Sequence, residues 1–241
     1  MGRAVTAKVS EAEDLTIVAG IDLGSAPADY PVYRSFADVP AEVTGQVDVI
    51  VDFSHPSVFD GMLSYLLANR KPAVVCTTGL SETQVNKLKS AAYEIPVFYS
   101  ANMSLGVNLL VELARKAARA LGDDFDIEVV EMHHNQKVDA PSGTALMLAN
   151  AISKELSEEP AYEYDRHLKH EKRPKNEIGI HSLRGGNVTG EHQVVFAGND
   201  ELITLSHSAR SKTLFANGAV NAARFLIGKE NGLFTMKDLI D

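Results

Sequence analysis

Val47-Asp48-Val49-Ile50-Val51-Asp52-Phe53, a segment from Ser57 to Asn69 with Val58, Met62 and Leu66 at helical spacing, and Ala73-Val74-Val75-Cys76 together make one strand–helix–strand unit. The two flanking runs are nearly continuously apolar, as strands buried on both faces of a parallel sheet are, and the segment between them suits a crossover helix. Downstream, Ser81-Glu82-Thr83-Gln84 is a capping box opening a helix that runs through Val85, Leu88 and Ala92, and Ile95-Pro96-Val97-Phe98-Tyr99 is the next strand. Upstream, Leu15 to Ile21 reads as a strand preceded by a helix from Gly2 to Ser10. Alternation of this kind from Leu15 to Ser100 predicts a right-handed, doubly wound α/β sheet. Such a fold opens on a strand and a glycine turn, which take about ten to fifteen residues. None precede Met1, so the expectation is a late or truncated start.

After Ser104 the pattern changes. Leu105 to Leu121 is a long amphipathic helix with Leu109, Leu110, Leu113, Ala117 and Leu121 inward, closed by Gly122. Asp126 to His133 reads as a strand and Thr144 to Leu156 as a helix. Ile178 to Leu183, His192 to Ala197 and Leu202 to His207 read as strands with sheet alternation. This predicts an α+β unit with one exposed sheet face, and a last helix, Leu214 to Ile227, returning to the first domain. The expected division is 1–103 with 213–241 for the first, α/β domain and 104–212 for the second, α+β domain. The polar stretch from Ser157 to Asn176 reads as a mobile loop. Its His167, His170, Lys169, Lys172, Arg173 and Lys175 are solvated on the plain reading and form a lid over an anionic substrate on the functional one.

The chain has 241 residues, 45% of them apolar, enough for a real core. Lys and Arg number 23 against 32 Asp and Glu, a net charge of −9, and there is no Trp with only 7% aromatics, so a nucleic-acid partner is disfavoured. A small molecule fits better. No apolar run approaches the ~20 residues that span a bilayer, and no signal-peptide core is present, so neither a membrane partner nor export is expected. The lone cysteine, Cys76, makes no internal disulfide and points to a cytoplasmic protein.

The chemistry concentrates in Glu131-Met132-His133-His134-Asn135-Gln136-Lys137-Val138-Asp139-Ala140-Pro141-Ser142-Gly143-Thr144-Ala145, a strand end, a polar loop and a helix start. At the helix opening the backbone N–H groups of Gly143 and Thr144 would face outward as an anion site, with the Thr144 hydroxyl as a further donor. Lys137 adds a point charge, and His133 or His134 supplies a proton near neutral pH. A dicarboxylate that is protonated during reaction suits this set. The plainer alternative is a structural helix start with solvated His and Lys nearby. A metal site is disfavoured, because adjacent His133 and His134 on a strand point to opposite faces.

In the α/β half, nucleotides bind beyond the carboxyl ends of the strands. Asp22 follows one strand, Thr77-Thr78-Gly79 the strand ending at Cys76, and Ser100-Ala101-Asn102-Met103-Ser104 the strand ending at Tyr99. Asp52 to Pro56 lies at the same edge but reads as a strand stop with Pro56 starting a helix. His181, His192 and His207 alternate with apolar residues and read as hydrogen-bonded structural histidines.

The stretch from Glu131 to Ala145 resembles that of the 4-hydroxy-tetrahydrodipicolinate reductase family, whose hallmark is a His-His, Lys, Asp-Ala-Pro-Ser-Gly-Thr-Ala run. The likeness extends over the chain: Met1-Gly2-Arg3 resembles the end of a glycine-rich opening, Val51-Asp52-Phe53-Ser54 a second-strand turn, and Ile180 to Gly186, Gly190-Glu191-His192 and Phe215 to Ala219 the later elements. The resemblance implies a Rossmann-like domain and an enzyme of lysine and diaminopimelate biosynthesis that uses NADH or NADPH. It implies His133 as proton donor, Lys137 as a catalytic and substrate-holding group beside His134, and Gly143 and Thr144 as the seat of a ring carboxylate. For the cofactor it implies Asp22 on the adenosine ribose, Cys76, Thr77 and Thr78 on the nicotinamide side, Ser100, Ala101, Asn102 and Met103 completing the cleft, and the first residues from Met1 near the pyrophosphate. Cys76 stands where family members usually carry Gly, and Leu23 where many carry Arg, which points to NADH over NADPH. The resemblance makes 1–103 with 213–241 the dinucleotide-binding domain and 104–212 the substrate-binding and oligomerisation domain, and it implies a homotetramer joined through the sheet of the latter. The alternatives are a catalytically incomplete relative that binds a dicarboxylate and oligomerises, or a two-domain reductase of another small acid.

Overall fold

A computed structural model describes residues 1–24 and 27–240. In chain order, its elements are α1 (Gly2–Ser10), β1 (Gly20–Ile21), β2 (Val32–Tyr33), α2 (Ala41–Gly45), β3 (Ile50–Asp52), α3 (Phe59–Asn69), β4 (Ala73–Val75), α4 (Glu82–Ala91) and β5 (Pro96–Tyr99). There follow α5 (Leu105–Leu121), β6 (Asp126–His133), α6 (Gly143–Ser153), β7 (Ala161–Glu163), β8 (Glu177–Arg184), β9 (Gly190–Ala197), β10 (Leu202–Ala209), α7 (Thr213–Leu226) and β11 (Gly232–Phe234). The chain forms two compact units, Met1–Leu105 with Thr213–Asp241, and Gly106–Lys212.

In the first unit β11, β5, β4 and β3 form an all-parallel sheet. Strand periodicity divides its side chains between two layers. Ala73, Val75 and Val97 pack against Phe59, Met62 and Leu66 of α3 and Leu88 of α4. Val74, Cys76 and Phe98 pack on the other side with Ala219, Ala222, Ala223 and Leu226 of α7. Full burial of the Val, Leu, Met and Phe side chains among these stabilises by roughly 1.5–3 kcal/mol each. Small residues let α7 close in: a Cβ at Gly218 would lie 1.7 Å from the Met103 carbonyl oxygen. The Ser81 capping box forms, with the Gln84 N–H on Ser81 Oγ at 3.2 Å and the Ser81 N–H on Gln84 Oε1 at 3.0 Å.

The expected strand from Leu15 to Ile21 is shorter than its sequence pattern. Only Gly20 and Ile21 pair, with Val32 and Tyr33 in a separate parallel ladder. Among the described residues no strand bonds to both β1 and β3, and Leu15 to Ala19 join no ladder. The run from Val47 to Phe53 likewise pairs only at Ile50–Asp52. The α1 region is tied to α7 by Arg224, whose Nε and Nη2 each donate to Asp14 at 2.7 Å.

The second unit is a five-stranded sheet, β10-β9-β6-β8-β7, in which β6 runs parallel to β8 and antiparallel to β9. Its inward face changes character along the strands. At one end Ile127, Val129, Ile178, Ile180, Val194 and Phe196 are buried beneath Leu148 and Ile152 of α6 and Leu110, Ala114 and Ala118 of α5. At the other end the same face carries Glu131 opposite Ser182 and His192, and His133 opposite Arg184. The opposite face is open, with Val130, Met132 and Val195 part-buried and Leu183 and Leu202 exposed.

The segment from Ser157 to Asn176 is not the free loop its polarity suggests. Ala161–Glu163 adds a parallel edge strand to β8. Arg173 then clamps the rest, donating to Glu128 Oε1 and Asp126 Oδ1 at 3.0 Å and to the Ile127 and Glu177 carbonyls. Arg166 and Lys169 pair with Glu177 and Glu163. Among the described residues no helix is long and apolar enough to cross a membrane.

Candidate active site

The polar end of the second sheet is built from strand periodicity and register. Glu131 and His133 are two apart on β6 and so share a face, and His133 Nδ1 lies 2.6 Å from Glu131 Oε2. The Glu131 carboxylate is fully buried and surrounded by donors. Arg184 reaches across from β8 as a bidentate partner, Nη1 to Oε2 at 2.9 Å and Nη2 to Oε1 at 2.8 Å. The Ser142 backbone N–H donates to Oε1 at 3.1 Å. Burial works to raise the pKa of this carboxyl, but hydrogen bonds from Arg184, Ser182, His133 and Ser142 outweigh it and hold it at about 2.

Beyond β6 the chain turns through His134 to Lys137, whose N–H donates to the His134 carbonyl at 3.1 Å. Lys137 Nζ donates to the exposed Asp139 Oδ1 at 2.6 Å, and that hydrogen bond, with the positive charges of Lys137 and Arg184, lowers the Asp139 pKa. Arg184 Nη2 also donates to the Asp139 carbonyl at 2.6 Å, fastening the loop to the sheet. Ser142 caps α6 by accepting the Ala145 N–H at 3.2 Å, and its hydroxyl lies 2.9 Å from His192 Nε2. A Cβ at exposed Gly143 would meet nothing within 4 Å, so the space before the helix end is open. Thr144 follows it, half-buried, in the first turn. The His133 and His192 rings meet edge to face at 5.1 Å. Burial, with His133 beside it, depresses the His192 pKa to about 4, so this ring is neutral at physiological pH.

His133, Lys137, Gly143 and Thr144 thus fall in one region of one unit, with His134 at the strand end. Among the described residues no group of His, Cys, Asp and Glu is arranged to hold a metal ion. His192 has the hydrogen-bonded place its pattern suggests, and His181 Nε2 faces Glu128 Oε2 at 2.8 Å. Glu131, Ser142 and Arg184 join the site without a role in the sequence expectations. The strand spacing of Glu131 and His133 is the signal that points to the first of these; Arg184 depends on a register 53 residues away in sequence.

In the first unit, Asp22, Thr78 and Ala101 are exposed near the ends of β1, β4 and β5, with Ser100 and Asn102 half-buried. Asp22 Oδ1 accepts the Gly24 N–H at 2.7 Å, and Ser100 and Asn102 brace their own turn. Met1 caps α1 through its carbonyl. Three of the expected side chains do not face outward. Cys76 is buried in the α7 layer with its thiol pKa pushed up by burial, and Met103 is buried beside it. The Thr77 hydroxyl is committed to Asp52 Oδ2 at 2.6 Å and to the Ser54 carbonyl at 3.1 Å. Strand alternation continuing past β4 explains the first and last of these: Cys76 follows Val74 inward and Thr77 turns toward the end of β3. The remaining polar set, one accepting carboxylate at the end of β1 and hydroxyls and amides at the ends of β4 and β5, fits the sugar and amide groups of a dinucleotide.

Residues 1–103 match the family described as dihydrodipicolinate reductase, N-terminus, and residues 106–240 match its C-terminus. The chain belongs to the dihydrodipicolinate reductase family. It is 48% identical to the 4-hydroxy-tetrahydrodipicolinate reductase of Caldanaerobacter subterraneus subsp. tengcongensis over 240 residues, 100% of this chain and 94% of that one. The Clostridium novyi reductase is 45% identical over 242 residues, again covering 100% of this chain and 94% of the relative. Among solved structures, a dipicolinate-bound dihydrodipicolinate reductase from Paenisporosarcina sp. TG-14 superimposes with a TM-score of 0.80 at 26% identity, covering 97% of this chain and 92% of that one. An amine dehydrogenase from Mycobacterium smegmatis shares the fold at 13% identity and a TM-score of 0.59. As a dihydrodipicolinate reductase family member the chain is an oxidoreductase with a Rossmann-like domain that works with a nicotinamide cofactor.

Proposed function

We propose that this chain catalyses NAD(P)H-dependent reduction of 4-hydroxy-tetrahydrodipicolinate to tetrahydrodipicolinate in lysine and diaminopimelate biosynthesis, with the polar end of the second sheet as its substrate site. The observation that carries this reading is the meeting of an imidazole on a buried carboxylate, an ammonium and an open helix N-terminus within the stretch from Glu131 to Ala145. Substrate, NAD(P)H and one proton give tetrahydrodipicolinate, NAD(P)+ and water. Bound NAD(P)H supplies the hydride. Gly143 and Thr144 receive one ring carboxylate at the positive end of α6. Lys137, now paired with exposed Asp139, exchanges that partner for substrate, which His134 helps to hold. His133 delivers the proton.

For the cofactor, Asp22 is the acceptor for the adenosine ribose, Thr78 with Ser100, Ala101 and Asn102 lines the nicotinamide side, and Met1 marks the helix start near the pyrophosphate. Thr77, Cys76 and Met103 shape this edge from beneath. Asp22 is a negative charge followed by exposed Leu23, a pair that favours a ribose hydroxyl over a 2′-phosphate, so NADH is the preferred donor. The open face of the second sheet, with Leu183 and Leu202 exposed, is the surface through which a homotetramer forms.

Titration of NADH into the full chain, followed by cofactor fluorescence with and without pyridine-2,6-dicarboxylate, tests this reading. Micromolar binding that the dicarboxylate tightens is the expected result. Cofactor binding indifferent to the dicarboxylate points instead to a reductase of another acid, and dicarboxylate binding without cofactor binding to a catalytically incomplete relative.

A further inference from the structure

We infer that Glu131, held by Arg184, is the positioning residue that fixes which nitrogen of His133 delivers the proton. This rests on the assignment of His133 as proton donor and adds to it the atom and the device that aims it. An imidazole is ambiguous: either ring nitrogen can carry the hydrogen of the neutral form, and the choice follows from what the other nitrogen meets. His133 Nδ1 meets Glu131 Oε2 at 2.6 Å. A carboxylate only accepts, and this one is ionised throughout the physiological range, with its carboxyl held at about 2. The hydrogen therefore sits on Nδ1 in both protonation states, and the exchangeable proton belongs to Nε2.

The surroundings hold that choice in place. Both Glu131 oxygens are engaged twice over, Oε1 by Ser142 N and Arg184 Nη2, Oε2 by His133 Nδ1 and Arg184 Nη1. The carboxylate cannot rotate toward another partner without leaving a buried donor unpaired. The same Ser142 and Arg184 contacts bind the 134–142 loop, so one carboxylate sets both the ring and the loop that carries Lys137. On the Nε2 side the neighbouring strand has Gly190, where a Cβ would lie 3.1 Å from that nitrogen. A side chain there would crowd the atom that delivers the proton. In the step itself the Nε2–H bond breaks, its electron pair stays on the imidazole nitrogen, and the proton forms a new bond on the ring that has accepted the hydride of NAD(P)H. The neutral imidazole left behind keeps its Nδ1–H on Glu131.

Two measurements on the full chain test this. Long-range proton–nitrogen correlation spectra of histidine-labelled protein, with the His133 signals assigned by their loss in His133→Gln, are expected to show the neutral ring protonated on Nδ1. A neutral ring protonated on Nε2 overturns the inference, whether or not the protein turns over the proposed substrate. In steady-state kinetics Glu131→Gln is expected to lower kcat by on the order of 10²–10⁴-fold, the range for a misdirected general acid, while KM moves less than about threefold. A folded Glu131→Gln enzyme with kcat near that of the parent overturns it. Should the variant not fold, the tautomer seen in the parent decides.

Discussion

His192 shows how much one buried side chain determines. It has a donor–acceptor contact with Ser142 at Nε2, while its Nδ1 is buried without a hydrogen-bond partner among the described residues. Burial lowers its pKa from 6.5 to about 4. The unfolded chain then takes up the proton more readily than the folded one, so the stabilisation is complete above pH 6.5 and is lost as pH falls from there toward 4. A shift of that size corresponds to about 3 kcal/mol. Glu131 acts in the next window: its folded value of about 2 lies below the ordinary 4.5, so its contribution holds above pH 4.5 and is lost between there and 2. The melting temperature of the parent should therefore fall from pH 6.5 to 4, and that of His192→Gln, whose amide can still meet Ser142, should fall distinctly less. Parallel loss of melting temperature in both proteins would contradict the assignment. At this scale the sequence was partly readable. His133, Lys137 and the Ser142-Gly143-Thr144 helix start stand in one stretch and declare themselves locally, whereas Arg184 acquires its meaning only from the register of β6 against β8.

Elements with strong periodicity were the most legible. β6 and α7 follow spacing that one window of sequence contains, and the α4 boundary follows its capping box, whereas α5 forms where expected but buries Val107, Leu110, Ala114 and Ala118, leaving Leu109 and Leu113, expected inward, exposed. β1 and β3 are shorter than their apolar runs because strand length depends on a partner, which no local pattern records. The segment from Ser157 to Asn176 fails for the converse reason. Its charges suggest solvation, yet Arg173, Arg166 and Lys169 are paired with carboxylates of β6, β7 and β8. Arg173→Ala removes donors to two carboxylates and two carbonyls at once. Trypsin should then cut after Lys169, Lys172 or Lys175 at least several-fold faster than in the parent, with the rest of the unit resisting. An unchanged cleavage rate would show that the clamp contributes nothing to local order.

At the scale of the whole molecule, the second sheet buries one face beneath α5 and α6 and leaves the other open. Leu183 and Leu202 are 46% and 64% exposed on that face, beside part-buried Val130, Met132 and Val195. Sheet alternation made the existence of this face readable in advance. The covering by other copies of the chain proposed above has no local signature in the sequence. Leu183→Glu places a charge beside Met132 on this face, where burial without a partner is costly. Light scattering after gel filtration is expected to give a tetramer for the parent and a smaller species for this variant. An identical mass for both would exclude this face as the assembly surface.

The reductase assignment is tested most directly by turnover. Oxidation of NADH and of NADPH by the full chain is followed optically after addition of freshly generated 4-hydroxy-tetrahydrodipicolinate, alongside His133→Gln and Lys137→Met. The account predicts substrate-dependent oxidation with a higher kcat/KM for NADH, reduced by at least about 10²-fold in each variant. Absence of substrate-dependent oxidation with both cofactors, or equal rates in the parent and the two variants, would contradict it.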